Sequence, residues 1–334
     1  MILVAGATGY VGRYLCVTLK NQGREVLALG RNPKVEAFFK EQGVPFLSFD
    51  LLNDADYEKL PTENVEAIIN LAVCLPEHEA PMARFFEVNV QGNFKLLDFA
   101  QKHGITRFIM ASSHKVYYDI YKDVITEEEA PCFKGPHSPY IISKITAECF
   151  LQHYWKDYGM DCIVLRLTGV HGYGALMGFL KKDGSYTRTA TELFMEQAYY
   201  GKPIEVWGDM NIRRDHVYIK DVVAAFIAAV DAPAGTKGIY NVASGVARNQ
   251  YEDAVAIAKA FANGKESEII LRPDKPGLTR GYCYSIEKIK RDLGWEPAYR
   301  DLDKLYADYR REWERKVFHN YHYIKPEDKP LCFD

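Results

Sequence analysis

Short β-branched apolar runs alternate with longer stretches of helical periodicity along the first half of the chain. Runs of this kind are typical of strands that are buried on both faces of a sheet. They lie at residues 1–5, 25–29, 67–71, 107–110 and 162–166. Their alternation with helices predicts an α/β fold, with a doubly wound parallel sheet and right-handed crossovers, over residues 1–168.

The pattern changes after residue 168. A glycine-punctuated loop spans residues 172–184, and helical periodicity returns near 191–200, 250–262, 286–293 and 302–317. We expect residues 169–237 and 244–334 to form a smaller α/β C-terminal lobe that covers the substrate, with the loop as a candidate lid. The segment from residue 318 is rich in aromatic residues, unlike a disordered tail. We therefore expect it to dock on its own lobe or on a partner subunit.

The first apolar run leads directly into Gly6-Ala-Thr-Gly9-Tyr-Val-Gly12 and a periodic helix. This order of strand, glycine turn and helix is typical of a Rossmann-type dinucleotide-binding fold. Gly6 permits the tight turn, Gly9 lets the backbone approach a pyrophosphate at the helix N-terminus, and Gly12 allows close packing of helix on strand. We expect the dinucleotide to lie across the carboxyl ends of the strands.

The end of the second strand bears on the choice of cofactor. An Asp or Glu at this point accepts a hydrogen bond from the ribose 2′-hydroxyl of NAD, whereas this strand ends in Gly30-Arg31-Asn32. A guanidinium suits a 2′-phosphate, so Arg31 favours NADP(H) over NAD(H). The alternative is that Arg31 lies flat against the adenine and does not discriminate between the two.

A tyrosine and a lysine four residues apart, Tyr140 and Lys144, project from one face of a predicted helix. A free tyrosine titrates near pH 10, so a tyrosine base that works near neutrality needs its pKa lowered by about 3 units, roughly 4 kcal/mol. The Lys144 ammonium, helped by a cofactor cation, favours the phenolate. The same spacing also suits a solvated helix face, and the neighbouring motifs decide between the two interpretations.

Further motifs occur in the order found in one protein family. They are Asp50-Leu51, Asn70-Leu-Ala72, Asn89-Val-Gln-Gly-Asn93, Ser112-Ser113 with Val116-Tyr117, Ser138-Pro-Tyr140, Arg214-Asp215 and Leu293-Gly-Trp295-Glu-Pro297. With the glycine loop, they make the chain resemble the extended short-chain dehydrogenase/reductases, in particular the nucleotide-sugar epimerases and dehydratases, from residue 2 to about 297. The resemblance implies an NAD(P) cofactor and a strand at 238–243 that returns to the sheet.

The resemblance also assigns roles to residues. Ser113 hydrogen-bonds the oxygen that is oxidised or reduced, Tyr140 is the catalytic acid/base, and Lys144 holds the phenolate and binds the nicotinamide ribose. The residues implied for cofactor binding are Gly6, Thr8, Gly9, Tyr10, Val11, Gly12, Arg31, Asp50, Leu51, Leu71, Ala72, Asn89, Tyr140 and Lys144.

The two residues after Ser113 narrow the reaction. Dehydratases of the resembled branch carry Asp-Glu there, because loss of water needs an acid for the leaving hydroxyl and a base for the neighbouring carbon-bound proton. This chain has His114-Lys115 instead, which disfavours dehydration and the related decarboxylation. We expect His114 to line the sugar pocket as a substrate-binding residue; an acid/base role of its imidazole is the alternative.

Arg214 and Arg272 match arginines that clamp the diphosphate of a nucleotide sugar in the resembled family. The sequence departs from the family at two places nearby. Thr168-Gly169 stands where an asparagine usually follows the sixth strand, and the aspartate expected near Ser285 is absent. Thr168 is a further candidate for substrate binding.

Three functions remain open at this point. The first is a nucleotide-sugar epimerase, which oxidises a ring hydroxyl to a ketone and returns the hydride to the other face. The second is an NADPH-dependent keto-sugar reductase or a sugar dehydrogenase with net redox turnover, which Arg31 and the altered Thr168-Gly169 stretch favour. The third is a non-enzymatic NAD(P)-sensing protein, although such proteins commonly lose the Tyr/Lys pair. We predict the epimerase.

Two predicted helices, near residues 89–103 and 138–158, carry more apolar positions than one sheet face needs. These positions include Phe94, Leu97, Phe150 and Tyr154. In related proteins this helix pair forms a four-helix interface between subunits, so the resemblance predicts a homodimer.

Composition excludes several other classes. The 334 residues are 48% hydrophobic and 26% charged, which is ordinary for a soluble globular protein, and the net charge of −3 gives no reason to expect nucleic acid or an anionic membrane as partner. No apolar run approaches the roughly 20 residues that span a bilayer, and the first strand starts at Met1, so we expect a cytoplasmic protein without a signal peptide. The 7 cysteines lack Cys-x-x-Cys spacing and predict neither disulfides nor a zinc site.

Overall fold

Seven parallel strands form the central sheet of the computed structural model, which describes residues 1–76, 81–131, 137–174, 178–180 and 186–318. The strands are β1 (Ile2–Ala5), β2 (Val26–Gly30), β3 (Phe46–Ser48), β4 (Ala67–Asn70), β5 (Arg107–Ser113), β6 (Asp161–Leu167) and β12 (Gly238–Val242). Their order across the sheet is β3-β2-β1-β4-β5-β6-β12. The doubly wound Rossmann-type sheet is thus confirmed, and β12 is the expected return strand, beside β6.

Alternate side chains of each central strand enter two cores, one on each face of the sheet. In β1, Ile2 and Val4 pack into one core, whereas Leu3 and Ala5 pack into the other. All four side chains are fully buried. Because both faces are covered, these strands appear in the sequence as continuous apolar runs rather than as an alternating pattern.

Helices cover both faces of the sheet, with α1 packed on α8 and α5 packed on α6. The helices are α1 (Tyr10–Asn21), α2 (Glu36–Glu41), α3 (Asp54–Tyr57), α4 (Met82–Phe86), α5 (Asn93–Lys102), α6 (Pro139–Asp157), α7 (Ala190–Tyr199), α8 (Ile219–Asp231), α9 (Gln250–Phe261), α10 (Glu287–Leu293) and α11 (Leu302–Arg315). Short 3-10 helices span Pro33–Val35 and His114–Tyr117, and a π-helix spans Glu87–Gly92. In the described part of the chain, none of the helices is long and apolar enough to cross a membrane. The cytoplasmic location stays a prediction.

The remaining strands form small two-stranded sheets beyond β6. Strand β7 (Gly169–His171) pairs in parallel with β11 (His216–Tyr218), and β10 (Ile204–Trp207) pairs in parallel with β13 (Ile269–Arg272). Strands β8 (Gly178–Leu180) and β9 (Tyr186–Arg188) form an antiparallel hairpin. The expectation of an irregular loop over 172–184 was therefore wrong at 178–180, where pairing with β9 satisfies the backbone. Of the candidate lid, residues 175–177 and 181–184 lie outside the described residues, and the proposed lobe boundaries stay predictions.

Phe318 is the last described residue, and it docks on the sheet-covering helices of its own chain. Its ring stacks on Tyr14 of α1 at a centroid distance of 3.6 Å, and Phe38 of α2 lies 5.9 Å away. A Cβ on Gly174 would lie 2.1 Å from the Phe318 carbonyl oxygen, so this glycine allows the chain to pass. Phe318 thus packs on helices of the predicted Rossmann domain and also passes Gly174 of the predicted lobe, and docking of the segment as a whole stays a prediction. The rest of the aromatic segment, 319–334, lies outside the described residues.

Candidate active site

The glycine loop lies where the order of the strands reverses. From β1 the chain builds β2 and β3 on one side and then continues with β4 on the other side, so the carboxyl ends of β1 and β4 lie side by side. Gly6 has a φ of +76°, and a Cβ on it would lie 2.5 Å from the backbone nitrogen of Ala72. Only glycine fits this position, and the loop therefore packs directly on Leu71 and Ala72 after β4.

The first turn of α1 is suited to an anion. Its N-cap residue is Gly9, which makes no side-chain capping bond, and no acidic residue lies in the first turn. The first backbone N–H groups and the positive end of the helix dipole therefore stay available for a phosphate. A Cβ on Gly12 would lie 2.6 Å from the Cα of Ala7, which requires the close packing predicted for this glycine. These features fit the pyrophosphate of a dinucleotide.

Other residues predicted to bind the cofactor surround the same crevice. Thr8 packs against the end of β2, and Val11 is partly buried in the first turn of α1. The hydroxyl of Tyr10 is buried and makes no hydrogen bond within the described residues. Leu51 is buried after β3 and packs on Gly92 of the π-helix. The roles of these residues toward a cofactor stay predictions.

Arg31 and Asp50 lie together at the ends of the adjacent strands β2 and β3. Arg31 Nη1 is 3.4 Å from Asp50 Oδ2, and the two side chains are 56% and 36% exposed. The other carboxylate oxygen of Asp50 accepts a hydrogen bond from the backbone N–H of Leu52, at 3.0 Å. The carboxylate therefore stands beside the guanidinium proposed for a 2′-phosphate, where it repels a phosphate and can accept from a 2′-hydroxyl.

The start of α6 places Tyr140 in its first turn and Lys144 one turn later. The Oγ of the N-cap residue Ser138 accepts a hydrogen bond from the backbone N–H of Ile141, and Pro139 occupies the first helical position. The predicted pair therefore shares one helix face, and both residues are buried, at 6% and 5% exposure. This burial excludes the alternative of a solvated helix face.

Lys144 is held between α6 and β5. Its Nζ donates to the carbonyl oxygen of Ala111, at 2.8 Å. Burial lowers the pKa of Lys144 to about 8, and the carboxylate of Glu148, one turn further along α6, opposes this shift. The lysine therefore remains largely protonated at neutral pH, with its ammonium directed at the edge of the sheet that carries the other predicted catalytic residues.

Ser113 ends β5 as predicted, and the 3-10 helix His114–Tyr117 follows it as a turn, here called the catalytic turn. Ser113 Oγ accepts a hydrogen bond from the backbone N–H of Lys115, at 3.2 Å. Because this bond uses an oxygen lone pair, the hydroxyl hydrogen can be donated to a substrate oxygen. Lys115 Nζ lies 5.6 Å from the ring centroid of Tyr140, so the catalytic turn also brings an ammonium to the phenol.

Asn89 lies in the π-helix, and its amide is engaged within the protein. It accepts a hydrogen bond from the N–H of Cys74 at 2.7 Å and donates to the Cys74 carbonyl oxygen at 3.1 Å and to Ser143 Oγ at 2.9 Å. Ser143 in turn donates to the carbonyl oxygen of Tyr140, at 2.8 Å. Asn89 thus ties the segment after β4 to the first turn of α6, and its predicted contact with the cofactor stays a prediction.

A buried ion pair lies behind the predicted catalytic residues. Arg166 of β6 and Glu148 of α6 are 2% and 1% exposed. Arg166 binds Glu148 through Nε at 3.1 Å and Nη2 at 2.6 Å, and its Nη1 donates to the hydroxyl of Tyr117 at 2.6 Å. Ser112 Oγ also donates to Glu148. With its hydrogen bonds satisfied, the pair is tolerated in the interior and connects β5, β6, α6 and the catalytic turn.

His114 is partly buried and neutral. Its Nδ1 lies 2.9 Å from the hydroxyl oxygen of Tyr284, and its ring centroid lies 5.0 Å from that of Tyr282. Burial, followed by the nearby charge of Lys115, lowers the pKa of His114 to about 3. An imidazole that stays neutral across the physiological range is a poor general acid, which favours the pocket-lining role over the acid/base role.

The row of rings continues from Tyr282 to His216 of β11 and His171 of β7. The Tyr282 hydroxyl lies 3.5 Å from His216 Nε2, and the two imidazole centroids are 6.1 Å apart. A Cβ on Gly169 would lie 2.8 Å from His216 Cδ2, so glycine at this position leaves room for the imidazole. Burial lowers the pKa of His216 to about 4 and that of His171 to about 3, which makes both rings neutral hydrogen-bonding groups.

Arg214 lies at the edge of this row. Its Nε donates to the carbonyl oxygen of Arg280 at 2.9 Å, and its guanidinium carbon lies 5.5 Å from the ring centroid of Tyr282. Within the described residues, neither terminal nitrogen of Arg214 donates a hydrogen bond. Its guanidinium therefore keeps the paired donors that suit a phosphate group.

Arg272 and Thr168 are placed differently from Arg214. The two terminal nitrogens of Arg272 each lie 2.9 Å from a carboxylate oxygen, one of Glu205 and the other of Asp274. Thr168 is buried, and its hydroxyl donates to the carbonyl oxygen of Val242 at 3.4 Å. Thr168 directly follows Leu167, which pairs with Ser113 across β5 and β6. Substrate binding by Thr168 and Arg272 stays a prediction.

Several residues of this region were not foreseen from the sequence. Glu148 had a local signal, because it lies one turn after Lys144 on the same helix face. His216, Arg280 and Tyr282 had none, since each meets partners that are distant in sequence. Lys115 was identified only as a replacement for a carboxylate, and its approach to Tyr140 depends on the path of the turn.

A family model described as "NAD dependent epimerase/dehydratase family" matches residues 2–243 of the chain. The match covers well over half of the chain. The chain therefore belongs to this family. The matched region runs from β1 to the end of the return strand β12 and includes Ser113, Tyr140 and Lys144.

Individual relatives carry both activities of the family name. UDP-glucose 4-epimerase of Mycolicibacterium smegmatis is 29% identical over 303 residues, which cover 88% of this chain and 93% of that protein. dTDP-D-glucose 4,6-dehydratase of Mus musculus is 26% identical over 341 residues, which cover 96% and 90%. A crystal structure of UDP-glucose 4-epimerase from Thermotoga maritima superposes with a TM-score of 0.75 at 24% identity, covering 95% of this chain and 99% of that one. The structural likeness is one of fold.

Proposed function

We propose that this protein is an NAD(P)-dependent epimerase that acts on a nucleotide sugar through a transient keto intermediate. The observation that carries the proposal is the set Ser113, Tyr140 and Lys144 at the sheet edge that bears the glycine loop, followed by a catalytic turn without a carboxylate. One phenol can take and return one proton, which is sufficient for epimerisation, whereas loss of water needs a further acid and base. The similarity to the M. smegmatis UDP-glucose 4-epimerase supports a nucleotide sugar as substrate.

The proposed mechanism uses the same residues in both directions. When bound, the nicotinamide cofactor supplies the reversible oxidation of a carbon–hydrogen bond. Tyr140 takes the proton of the sugar hydroxyl as that carbon becomes a ketone, and returns it when the carbon is reduced on its other face. Ser113 donates a hydrogen bond to the same oxygen in both halves. Lys144 keeps an ammonium near the first turn of α6, where it favours the phenolate.

The substrate is proposed to lie along the row of rings between the catalytic turn and Arg214. The terminal nitrogens of Arg214, which donate no hydrogen bond within the described part of the chain, suit the diphosphate. The neutral rings of His114, Tyr282 and His216 suit the uncharged hydroxyls of a sugar. Arg272 is a weaker candidate for the diphosphate because two carboxylates already bind its guanidinium. This arrangement supports a nucleotide-linked sugar rather than a free one.

The proposed cofactor is NADP(H) in preference to NAD(H), on the strength of Arg31. The nearby carboxylate of Asp50 opposes this preference, because the two side chains form an ion pair at 3.4 Å. We therefore expect a modest preference, set by the balance between the attraction of a 2′-phosphate to the guanidinium and its repulsion by the carboxylate.

The proposed quaternary structure is a homodimer through α5 and α6. Phe94 remains 39% exposed and its ring lies 5.4 Å from that of Phe150 on the neighbouring helix. Leu97 and Tyr154, also expected at this face, are instead buried in the core of the subunit. Further apolar side chains are exposed nearby, namely Met82, Phe86 and Ile142. A subunit mass of 38.2 kDa in light scattering, rather than twice that mass, would contradict the dimer.

The proposed activity is tested with UDP-, dTDP-, GDP- and CDP-linked sugars and both nicotinamide cofactors. The expected result is interconversion of epimers without a net change in the absorbance of reduced nicotinamide, because the cofactor is regenerated in each turnover. The second candidate function, a keto-sugar reductase favoured by Arg31, predicts stoichiometric consumption of NADPH with a keto sugar. That consumption, without epimer formation when NADPH is absent, would replace the epimerase by the reductase.

A further inference from the structure

Arg280 joins the segment before Tyr282 to the catalytic turn. Its Nη1 donates to the carbonyl oxygen of Tyr118, and its Nη2 donates to those of Tyr117 and Ile120. The guanidinium carbon also lies 4.5 Å from the ring centroid of Tyr121. One planar cation thus binds three backbone carbonyl groups, one on the last residue of the 3-10 helix and two just after it.

The position of these bonds explains their effect on the catalytic turn. The last carbonyl groups of a helix have no partner inside the helix, and a cation at that end interacts favourably with the helix dipole. The planar fork of arginine carries five N–H donors, enough for several carbonyl groups at once, whereas a lysine ammonium is a point charge. Arg280 therefore fixes the end of a turn that begins directly after Ser113.

The same segment is bound to the loop after the catalytic turn by backbone hydrogen bonds. Ile125 donates from its N–H to the carbonyl oxygen of Cys283, and its own carbonyl accepts from the N–H of Ser285, each at 2.9 Å. The Arg280 backbone carbonyl accepts from Arg214 Nε at 2.9 Å. The proposed diphosphate residue is thus one hydrogen bond away from the residue that holds the catalytic turn.

We infer that Arg280 is a positioning residue, which holds the catalytic turn in place for Ser113 and connects it to anion binding at Arg214. The inference rests on the proposed function for its catalytic consequence, but the contacts it requires are independent of any reaction. Binding of the diphosphate at Arg214 can thereby order the catalytic turn through Arg280, because binding interactions remote from the reacting atoms can be used to order catalytic groups.

Hydrogen exchange of the purified protein tests the contact itself. Arg280→Met should speed amide exchange in residues 114–121 by about tenfold, as expected for the loss of charge-assisted hydrogen bonds. The matched control is Arg213→Met, which removes a neighbouring arginine that binds Glu252 and the Ala247 carbonyl oxygen. This control should leave exchange in 114–121 unchanged. UDP, used as the probe, should slow exchange there in the unmodified protein but not in Arg280→Met.

Kinetics with the best nucleotide sugar then separate positioning from binding. Arg280→Met and Arg280→Lys should lower kcat by about 10- to 100-fold while KM and the Kd of UDP change by less than about threefold. Added guanidinium ion should restore part of the lost kcat of Arg280→Met. The lysine variant retains the charge and most of the volume, so it serves if the methionine variant does not fold.

The outcomes distinguish this inference from the proposed function. Unchanged exchange in 114–121 in both Arg280 variants would overturn the inference. A Kd of UDP raised more than about tenfold with an unchanged kcat would also overturn it, because Arg280 would then be an anion ligand. If the unmodified protein turns over no nucleotide sugar but shows the expected exchange pattern, the proposed function fails and the structural role of Arg280 stands.

Discussion

Two regions of the molecule are built from contacts of different range. One is the proposed cofactor edge, where the glycine loop and Arg31 lie beside the start of α6, and the other is the proposed substrate region, the row of rings from His114 to His171 with Arg214 and Arg280. At the cofactor edge, Gly6 to Gly12 form one turn, and Tyr140 and Lys144 lie one helical turn apart. In the substrate region, the residues in contact are 170 positions apart for His114 and Tyr284 and 162 positions apart for Arg280 and Tyr118. Short-range groups are placed by the local backbone, whereas long-range groups are placed by the path of the whole chain.

The two regions also differ in how charge is treated. Lys144 is a buried cation bound to a backbone carbonyl, and Arg31 and Asp50 leave a cation and an anion together at the cofactor edge. In the substrate region, burial keeps His114 and His216 neutral beside Arg214. A fixed cation with neutral hydrogen-bonding rings suits a substrate that has an anionic part and an uncharged part.

The largest effect is expected at the cofactor edge. Tyr140→Phe removes the proposed acid/base while keeping the ring, so turnover should fall by a factor of about 10² to 10⁴ with the fold and cofactor binding retained. Steady-state kinetics measure the effect, and Tyr158→Phe, at the exposed end of the same helix, is the matched control. Activity of Tyr140→Phe within tenfold of the unmodified protein would show that another group moves the proton.

A second test compares the two arginines that the sequence predicts to bind the diphosphate. Arg214→Ala should weaken UDP binding by about 30- to 100-fold, because it removes a charge-assisted contact from two nitrogens that make no hydrogen bond to the residues the structure describes. Arg272→Ala should change it by less than about threefold, since that residue is already paired with Glu205 and Asp274. Isothermal titration measures both. The reverse order of effects would place the diphosphate at Arg272, as the sequence alone allowed.

A third test sharpens the account of the cofactor edge. Arg31→Ala should lower the affinity for NADP(H) by about 10-fold or more and change the affinity for NAD(H) little, because only the 2′-phosphate loses its charge-assisted partner. Asp50→Asn should act in the opposite direction and strengthen NADP(H), since it removes a neighbouring negative charge. Fluorescence titration of the reduced cofactors gives both affinities. Equal losses for both cofactors in Arg31→Ala would support stacking on the adenine instead.

The smallest effect concerns stability. Burial lowers the pKa of Lys144 from 10.5 to about 8, so the unfolded chain binds this proton more tightly than the folded one. The resulting penalty is present below pH 8 and disappears as the pH rises toward 10.5. Lys144→Met should therefore raise the free energy of unfolding of the cofactor-free protein by about 1 to 2 kcal/mol at pH 7 while abolishing activity. Denaturant unfolding at pH 7 and pH 10 measures the difference, and a variant less stable than the unmodified protein at pH 7 would contradict the burial penalty.

The sequence by itself determined the sheet, the glycine loop and the placement of the candidate catalytic residues. These features depend on periodicity and spacing. Apolar runs indicate strands that are buried on two faces, and glycines occur where a Cβ would collide with Ala72 or Ala7. A serine-proline start places Tyr140 and Lys144 on one face of α6. The physical reason is that each interaction connects residues within a turn or two, or follows from the alternation of strands and helices.

Only the tertiary structure decided the charge environment and the alignment of the substrate region. The pairing of Arg31 with Asp50 depends on β2 and β3 being neighbours, and the neutral state of His114 depends on burial beneath Tyr282 and Tyr284. Carboxylates bind the terminal nitrogens of Arg272 but not those of Arg214 among the described residues, and this difference depends on which carboxylates the folded chain brings near each arginine. Burial and tertiary pairing have no local signature, because desolvation and the choice of partner are set by how separate segments of the chain pack together.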